Sequence, residues 1–93
     1  MRNTEELVEA VRCAFMPAHC EIEVAKDDTD EPILLVRIID GAGNEAARDE
    51  ISWSLGQHDQ LLEHHLVTTR SLVEAHGVRL DPWTLRRPGR ETR

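Results

Sequence analysis

The fold is decided by the apolar run Ile33-Leu34-Leu35-Val36-Arg37-Ile38-Ile39, which ends at the turn signal Asp40-Gly41-Ala42-Gly43-Asn44. Side chains of a strand point alternately to its two faces, so this run places Leu, Val or Ile on both faces. Such a strand is typical of the centre of a sheet, where each face is partly covered. The glycines and Asn44 that follow favour a tight turn. The run therefore predicts a central strand followed by a reversal of the chain.

The residues before this run predict a second strand over 19–26. Cys20, Ile22 and Val24 fall on one face, whereas Glu21 and Glu23 fall on the other. This alternation is typical of a strand with one buried face. A charged turn over 27–32 joins the two strands, so we expect an antiparallel pair.

The residues after the run allow two interpretations. Glu45–Trp53 forms a third strand if Ala47, Ile51 and Trp53 share one face, with Asp49 interrupting the pattern. Alternatively, the alanine-containing stretch Glu45–Glu50 forms a helical turn. We favour the strand, because a two-stranded hairpin alone is only marginally stable.

Helices are expected on either side of the strands. Residues 4–16 carry Leu7, Val11 and Phe15 at helical spacing, and Pro17 should end that helix. Residues 55–76 form a longer helix, with Ser54 and Gln57 as a capping box and Gly77 as the stop.

The stripe of apolar residues on the longer helix is wide. Leu55, Leu62, Leu66, Thr69 and Val73 form its centre, and Leu61 and Leu72 widen it. One small sheet does not need so wide a stripe. The extra width packs either on the first helix or in a dimer seam.

The predicted fold class is α+β in the order α-β-β-β-α, with a small antiparallel three-stranded sheet and two helices packed on one face. The chain has 93 residues, which suits a single core. We expect one domain over residues 1–83 and a flexible Arg-rich tail over 84–93.

One segment resembles a known family. Residues 6–24, with Phe15, Pro17 and Cys20 as the matching positions, resemble the start of a family of short bacterial proteins of unknown function, known mostly from pseudomonads. The resemblance implies a helix, a strand that begins at a cysteine, a hairpin, a further strand and a helix. It implies no activity.

Charge limits the class of partner. The formal net charge is −7, although residues 79–93 are basic through Arg79, Arg86, Arg87, Arg90 and Arg93. An acidic body disfavours direct nucleic-acid binding, which depends on Lys and Arg, and suits a basic protein partner. The sequence predicts neither a signal peptide nor a membrane-spanning run. We therefore expect a cytoplasmic protein with Cys13 and Cys20 as free thiols.

No catalytic, cofactor or metal site emerges from the sequence. His58, His64 and His65 are not separated by the three or four residues that place two imidazoles on one helix face. His19 and Cys20 are adjacent in a strand and point to opposite faces. We therefore expect no enzyme, no cofactor and no bound metal.

The candidate partner-binding residues are Leu61, His65, Leu72, Trp83, Arg86 and Arg87. Trp83 serves either as a binding residue or as a clasp that pins the C-terminal segment to the body. The leading hypothesis is a non-catalytic protein-interaction or regulatory module that acts as a homodimer. The alternative is an acidic inhibitor or immunity-type protein that blocks a basic, nucleic-acid-handling partner. A third hypothesis is a small metal-binding or enzymatic domain.

Overall fold

Three antiparallel strands form one sheet in the order β1-β2-β3, and helices flank them in the chain. The structure is a computed structural model, and it describes residues 2–85. The elements are α1 (Thr4–Ala14), β1 (His19–Lys26), β2 (Pro32–Ile39), β3 (Glu45–Ser52), α2 (Trp53–Gly56) and α3 (Asp59–Ala75). The predicted α+β class and the three-stranded antiparallel sheet are confirmed, with a short additional helix, α2.

The sheet has one covered face and one open face. Leu34, Val36 and Ile38 of β2 are at most 2% exposed. They form one core with buried side chains of α1 and α3 such as Leu7 and Leu66. The opposite face of β2 carries half-buried Ile33, Leu35 and Ile39 and the exposed Arg37.

The first helix begins at Thr4, with Asn3 as its N-cap. Asn3 Oδ1 accepts the Glu6 N–H (2.8 Å), and Glu6 Oε1 accepts the Asn3 N–H (2.9 Å). This reciprocal pair satisfies two donors at the helix start. The helix ends at Ala14, two residues before the predicted end at Met16.

The segment after the turn is a strand, so the helical alternative for Glu45–Glu50 is wrong. The β2–β3 register slips between Ile38 and Ile39, whose partners are Ala47 and Glu45, and Ala46 is left as an extra residue. This bulge keeps Asp49 opposite Val36, on the covered face of the sheet. The residue that interrupted the predicted pattern therefore points toward the helices.

The prediction of one continuous helix over 55–76 is wrong. Helix α2 is capped by Ser52, whose Oγ accepts the Leu55 N–H (3.1 Å), and not by Ser54. Helix α2 ends at Gly56, and α3 begins at Asp59 with His58 as its N-cap. The capping box expected from Ser54 and Gln57 is absent, because both residues lie within or beside α2.

Contacts with Arg2, near the N-terminus, stabilise the break between α2 and α3. Gln57 and Arg2 form two hydrogen bonds, from the Arg2 N–H to Gln57 Oε1 (2.7 Å) and from Gln57 Nε2 to the Arg2 carbonyl (2.9 Å). Arg2 Nη1 also donates to the Gly56 carbonyl (3.2 Å) and lies 2.6 Å from Asp59 Oδ1. Arg2 is only 5% exposed, so these partners compensate for the burial of its charge.

The C-terminal end of α3 is placed as predicted. Gly77 has φ +89°, a left-handed conformation that glycine adopts without strain, and it follows the C-cap His76. The chain then passes back along the body to Leu85, which is 8% exposed and belongs to the core. Of the tail predicted over 84–93, Thr84 and Leu85 are described, and the remainder lies outside the described residues.

Gly56 provides a test of this packing. A Cβ at Gly56 would lie 2.5 Å from Leu7 Cδ2, and Leu7 is 1% exposed, so the leucine has little room to move. We predict that Gly56→Ala lowers the free energy of unfolding by about 1–2 kcal/mol, because overpacking outweighs the gain of about 1 kcal/mol in helix propensity. Urea unfolding measures the change.

The matched control is Gly41→Ala. Nothing lies within 4 Å of a Cβ at Gly41, so its effect should stay within about 0.5 kcal/mol. Equal unfolding midpoints for the two variants would contradict the close packing of α2 on α1.

Candidate protein-interaction surface

The most exposed large apolar side chains of the described residues lie on α3. Leu61 is 58% exposed and Leu72 is 56% exposed. They are eleven residues apart, which corresponds to three helical turns, so they lie on one side of the helix about 16 Å apart. We call this side the outer flank; it consists of Leu61, His64, His65, Thr68, Leu72 and Ala75.

The outer flank carries no carboxylate. At about 100° per residue, the acidic residues of α3, which are Asp59, Glu63 and Glu74, fall on other sides of the helix. The whole chain has a formal charge of −7. The outer flank therefore combines exposed leucines with an absence of the acidic residues that α3 carries on its other sides.

His65 lies where the outer flank meets the sheet. Its Nε2 is 2.7 Å from Asp49 Oδ1, and Thr69 Oγ1 donates to Asp49 Oδ2 (2.8 Å). The Asp49 side chain is only 10% exposed. One carboxylate on β3 thus holds two side chains of α3, and these contacts fix the rotation of the helix about its own axis.

Asp49 was not among the residues predicted from the sequence. A charged residue at a core-facing strand position is disfavoured unless it finds hydrogen-bond partners. The signal was therefore present in the sequence: Asp49 interrupts an alternating strand, and Thr69 is a polar residue within the apolar stripe of α3. Pairing the two polar residues would have identified the contact.

Arg70 organises the other side of α3. Its Nη1 donates to the Ala14 carbonyl at the end of α1 (2.5 Å), and its Nη2 donates to the Asp81 carbonyl (2.8 Å). The guanidinium carbon lies 5.9 Å from the centroid of the Trp83 ring, within the range of a cation–π contact. Arg70 thereby joins α1, α3 and the C-terminal segment.

Three of the six predicted partner-binding residues lie together. Leu61, His65 and Leu72 share the outer flank. Trp83 is half-buried, packs against the core and contacts Arg70, so its ring acts as a clasp within the chain. Arg86 and Arg87 lie outside the described residues.

The open face of the sheet holds a network of ion pairs. Arg37 and Arg48 are directly opposite each other, an unfavourable arrangement for like charges. Glu45 accepts from both, at 3.0 Å from Arg37 Nε and 2.8 Å from Arg48 Nε, and Glu21 accepts from Arg37. The hydrogen bond from Arg37, followed by that from Arg48, lowers the pKa of Glu45 below its usual value. Glu21, Arg37 and Arg48 line a groove of about 750 Å³ on the sheet.

The described residues offer little for metal or thiol chemistry. Within residues 2–85, no group of three or more His, Cys, Asp or Glu side chains is arranged to hold a metal ion. Both cysteines are free thiols. Burial raises the pKa of the Cys20 thiol to about 11, although the nearby Arg12 charge lowers it.

The chain was compared with known proteins. No protein-family model, no curated protein and no solved structure matches it. The resemblance of residues 6–24 to the pseudomonad family stays a prediction.

The Asp49 contact predicts a loss of stability on truncation. Asp49→Ala removes the carboxylate that His65 and Thr69 contact and leaves Thr69 only the His65 carbonyl as acceptor, so we expect the free energy of unfolding to fall by about 2 kcal/mol. The control is Glu50→Ala, at the exposed neighbour of Asp49, for which we expect the free energy of unfolding to change by no more than about 0.5 kcal/mol. A double-mutant cycle with Thr69→Val should give a coupling energy of about 1 kcal/mol. Equal stability of the two alanine variants would contradict the role of Asp49.

The two cysteines should differ in reactivity. At pH 8 the buried Cys20 is a protonated thiol, because its pKa of about 11 lies well above that pH. We predict that iodoacetamide modifies Cys13, which is partly exposed, and spares Cys20 in the folded protein. In denaturant both residues should react. Mass spectrometry of peptides measures the two rates, and equal rates in the folded protein would contradict the burial of Cys20.

Proposed function

We propose that this chain is a non-catalytic protein-interaction module that acts as a homodimer, with the outer flank of α3 as the seam. The observation that carries the proposal is the exposure of Leu61 and Leu72 on one carboxylate-free side of the helix. In an acidic chain, a surface without carboxylates is the part that a second copy approaches with the least repulsion.

The spacing of the outer flank suits a symmetric pair. If two copies of α3 pack antiparallel about a two-fold axis between positions 66 and 67, Leu61 of one copy faces Leu72 of the other. The same axis places His65 opposite Thr68. A two-fold interface must be self-complementary, and both pairings satisfy this condition. The small Thr68 near the axis allows the helices to approach closely.

The anchoring of α3 supports the same proposal. Asp49 holds His65 and Thr69, and Arg70 holds the opposite side of the helix. Because the helix is held on both sides, the leucines of the outer flank cannot rotate into the core. Prior ordering of an interface reduces the entropy lost on association.

The inhibitor alternative finds less support. Electrostatic blocking of a basic site calls for a continuous acidic surface, whereas Arg37 and Arg48 interrupt the acidic residues of the open face. The enzymatic alternative has no catalytic frame among the described residues to support it.

The proposed setting of the module is the cytoplasm. Its two cysteines are free, as is usual for proteins kept in a reducing compartment. Among residues 2–85, no helix has the length and apolar character needed to cross a membrane.

Sedimentation equilibrium tests the seam. Leu61→Glu places a carboxylate opposite Leu72 of the partner copy. The two-fold axis makes this contact occur twice in each dimer. We expect the dissociation constant of the dimer to rise at least about 100-fold, since each buried unpaired charge costs several kcal/mol. Leu72→Glu should have the same effect.

The matched control is Val67→Glu. Val67 is 46% exposed, on the same helix but away from the outer flank, so the same substitution there should leave the dimer intact. A wild-type chain that remains monomeric at high concentration, or an equal effect of Val67→Glu, would overturn the proposal.

A further inference from the structure

The two edges of the sheet differ in how they are protected. An edge strand presents unpaired backbone N–H and C=O groups that another strand can join. On β3, Asp49 points inward and its Oδ1 accepts the Glu50 N–H (2.8 Å). Strand β3 also carries the bulge at Ala46. Inward charges and bulges are both devices that block edge pairing.

Strand β1 has neither device. Its eight residues pair with β2 in one unbroken register, from His19 opposite Ile39 to Lys26 opposite Pro32. Among the described residues, β1 has no neighbour on its other side. The side chains that it directs to the covered face, Cys20, Ile22 and Val24, are uncharged, so no inward charge lies along this edge. Val24 is 48% exposed.

The charge of β1 selects the kind of strand that fits. Glu21 and Glu23 are exposed side by side on the open face of the sheet, where one oxygen of Glu21 also accepts from Arg37 of β2. A second copy of β1 centred on Ile22 would place Glu21 opposite Glu23, and one centred on Glu23 would place two identical carboxylates together. Like charges directly opposite each other destabilise a strand pair. Self-pairing in these two registers is therefore disfavoured, and a basic strand is favoured.

We propose that the free edge of β1 binds an extended basic segment of a partner protein by strand addition. The segment alternates Lys or Arg, which face Glu21 and Glu23, with apolar residues, which face Ile22 and the exposed Val24. Backbone hydrogen bonds to the edge supply affinity, and the alternating side chains supply specificity. This inference goes beyond the homodimer, because β1 and the outer flank of α3 are separate surfaces.

The chain's own Arg-rich segment is a poorer occupant. Residues 86–93 contain four arginines, yet Pro88 and Gly89 divide them. Proline lacks the N–H that a strand donates, and glycine weakens strands. A segment of a partner protein without this interruption pairs along the full edge.

The test uses the full chain and a fluorescent peptide of alternating Lys and Val, measured by fluorescence anisotropy at physiological salt. We expect saturable binding that the double variant Glu21→Lys/Glu23→Lys weakens by about tenfold or more, because two attractive contacts become repulsive. The matched control is Glu9→Lys/Glu74→Lys. It makes the same change of charge at two exposed positions on the helices and should bind the peptide as the wild type does.

Backbone methylation separates strand addition from simple charge attraction. Two further peptides carry N-methyl groups on every Lys or on every Val, which removes the N–H groups from one edge of the strand and leaves the charge unchanged. We expect one of the two methylated peptides to lose binding and the other to retain it. Retention by both, or an equal loss in the Glu9/Glu74 control, would show charge attraction alone and overturn the proposal.

One further variant shows whether a partner segment or the chain's own C-terminal segment binds the β1 edge. The full-length chain with Arg86→Ser, Arg87→Ser, Arg90→Ser and Arg93→Ser should bind the peptide as the wild type does. Binding that appears only in this variant would assign the β1 edge to the chain's own C-terminal segment and overturn the partner proposal. Absence of binding in every form of the chain would also overturn it.

Discussion

The hydrogen bonds that Asp49 accepts from α3 determine which surfaces of this protein remain available. A carboxylate that is 10% exposed requires partners, and it finds them in Thr69 and His65. Because these two residues are four apart on the helix, they fix its rotation as well as its position. The leucines at 61 and 72 are consequently directed outward, while Leu62 and Leu66 fill the core. The same carboxylate accepts a backbone N–H of β3 and so blocks that edge of the sheet.

Much of the fold could be predicted from local patterns. Alternation in 19–26 and the apolar run from Ile33 predicted β1 and β2 with their faces, because Cys20 and Ile22 of β1, and Leu34, Val36 and Ile38 of β2, face the core. The break between α2 and α3 could not be predicted in this way. It depends on Arg2, which lies more than fifty residues away in sequence, and on the close approach of Leu7 to Gly56. A local capping pattern at Ser54 therefore gave the wrong start for the helix.

The candidate surface was predictable in part for the same reason. An apolar stripe wider than the sheet requires indicated Leu61 and Leu72 from helical spacing alone. The role of Asp49 does not follow from the strand pattern, because a single charge only interrupts the alternation and its partners lie on a distant helix. The structural role of Arg70 could not be predicted, because its partners are the backbone carbonyls of Ala14 and Asp81. Every residue has a backbone carbonyl, so the sequence does not indicate which ones accept a hydrogen bond. A polar residue inside an apolar pattern therefore indicates a buried hydrogen-bond partner elsewhere in the chain.

The central claim is that copies of this chain meet through the outer flank of α3, and concentration-dependent NMR tests it most directly. Amide spectra of the isotope-labelled chain, recorded over a wide range of protein concentration, report which residues change environment on association. The account predicts that the shifts concentrate between Leu61 and Ala75, at the positions of the outer flank, while the amides of β1 stay constant. Shifts confined to the sheet, or spectra that do not change with concentration, would contradict it.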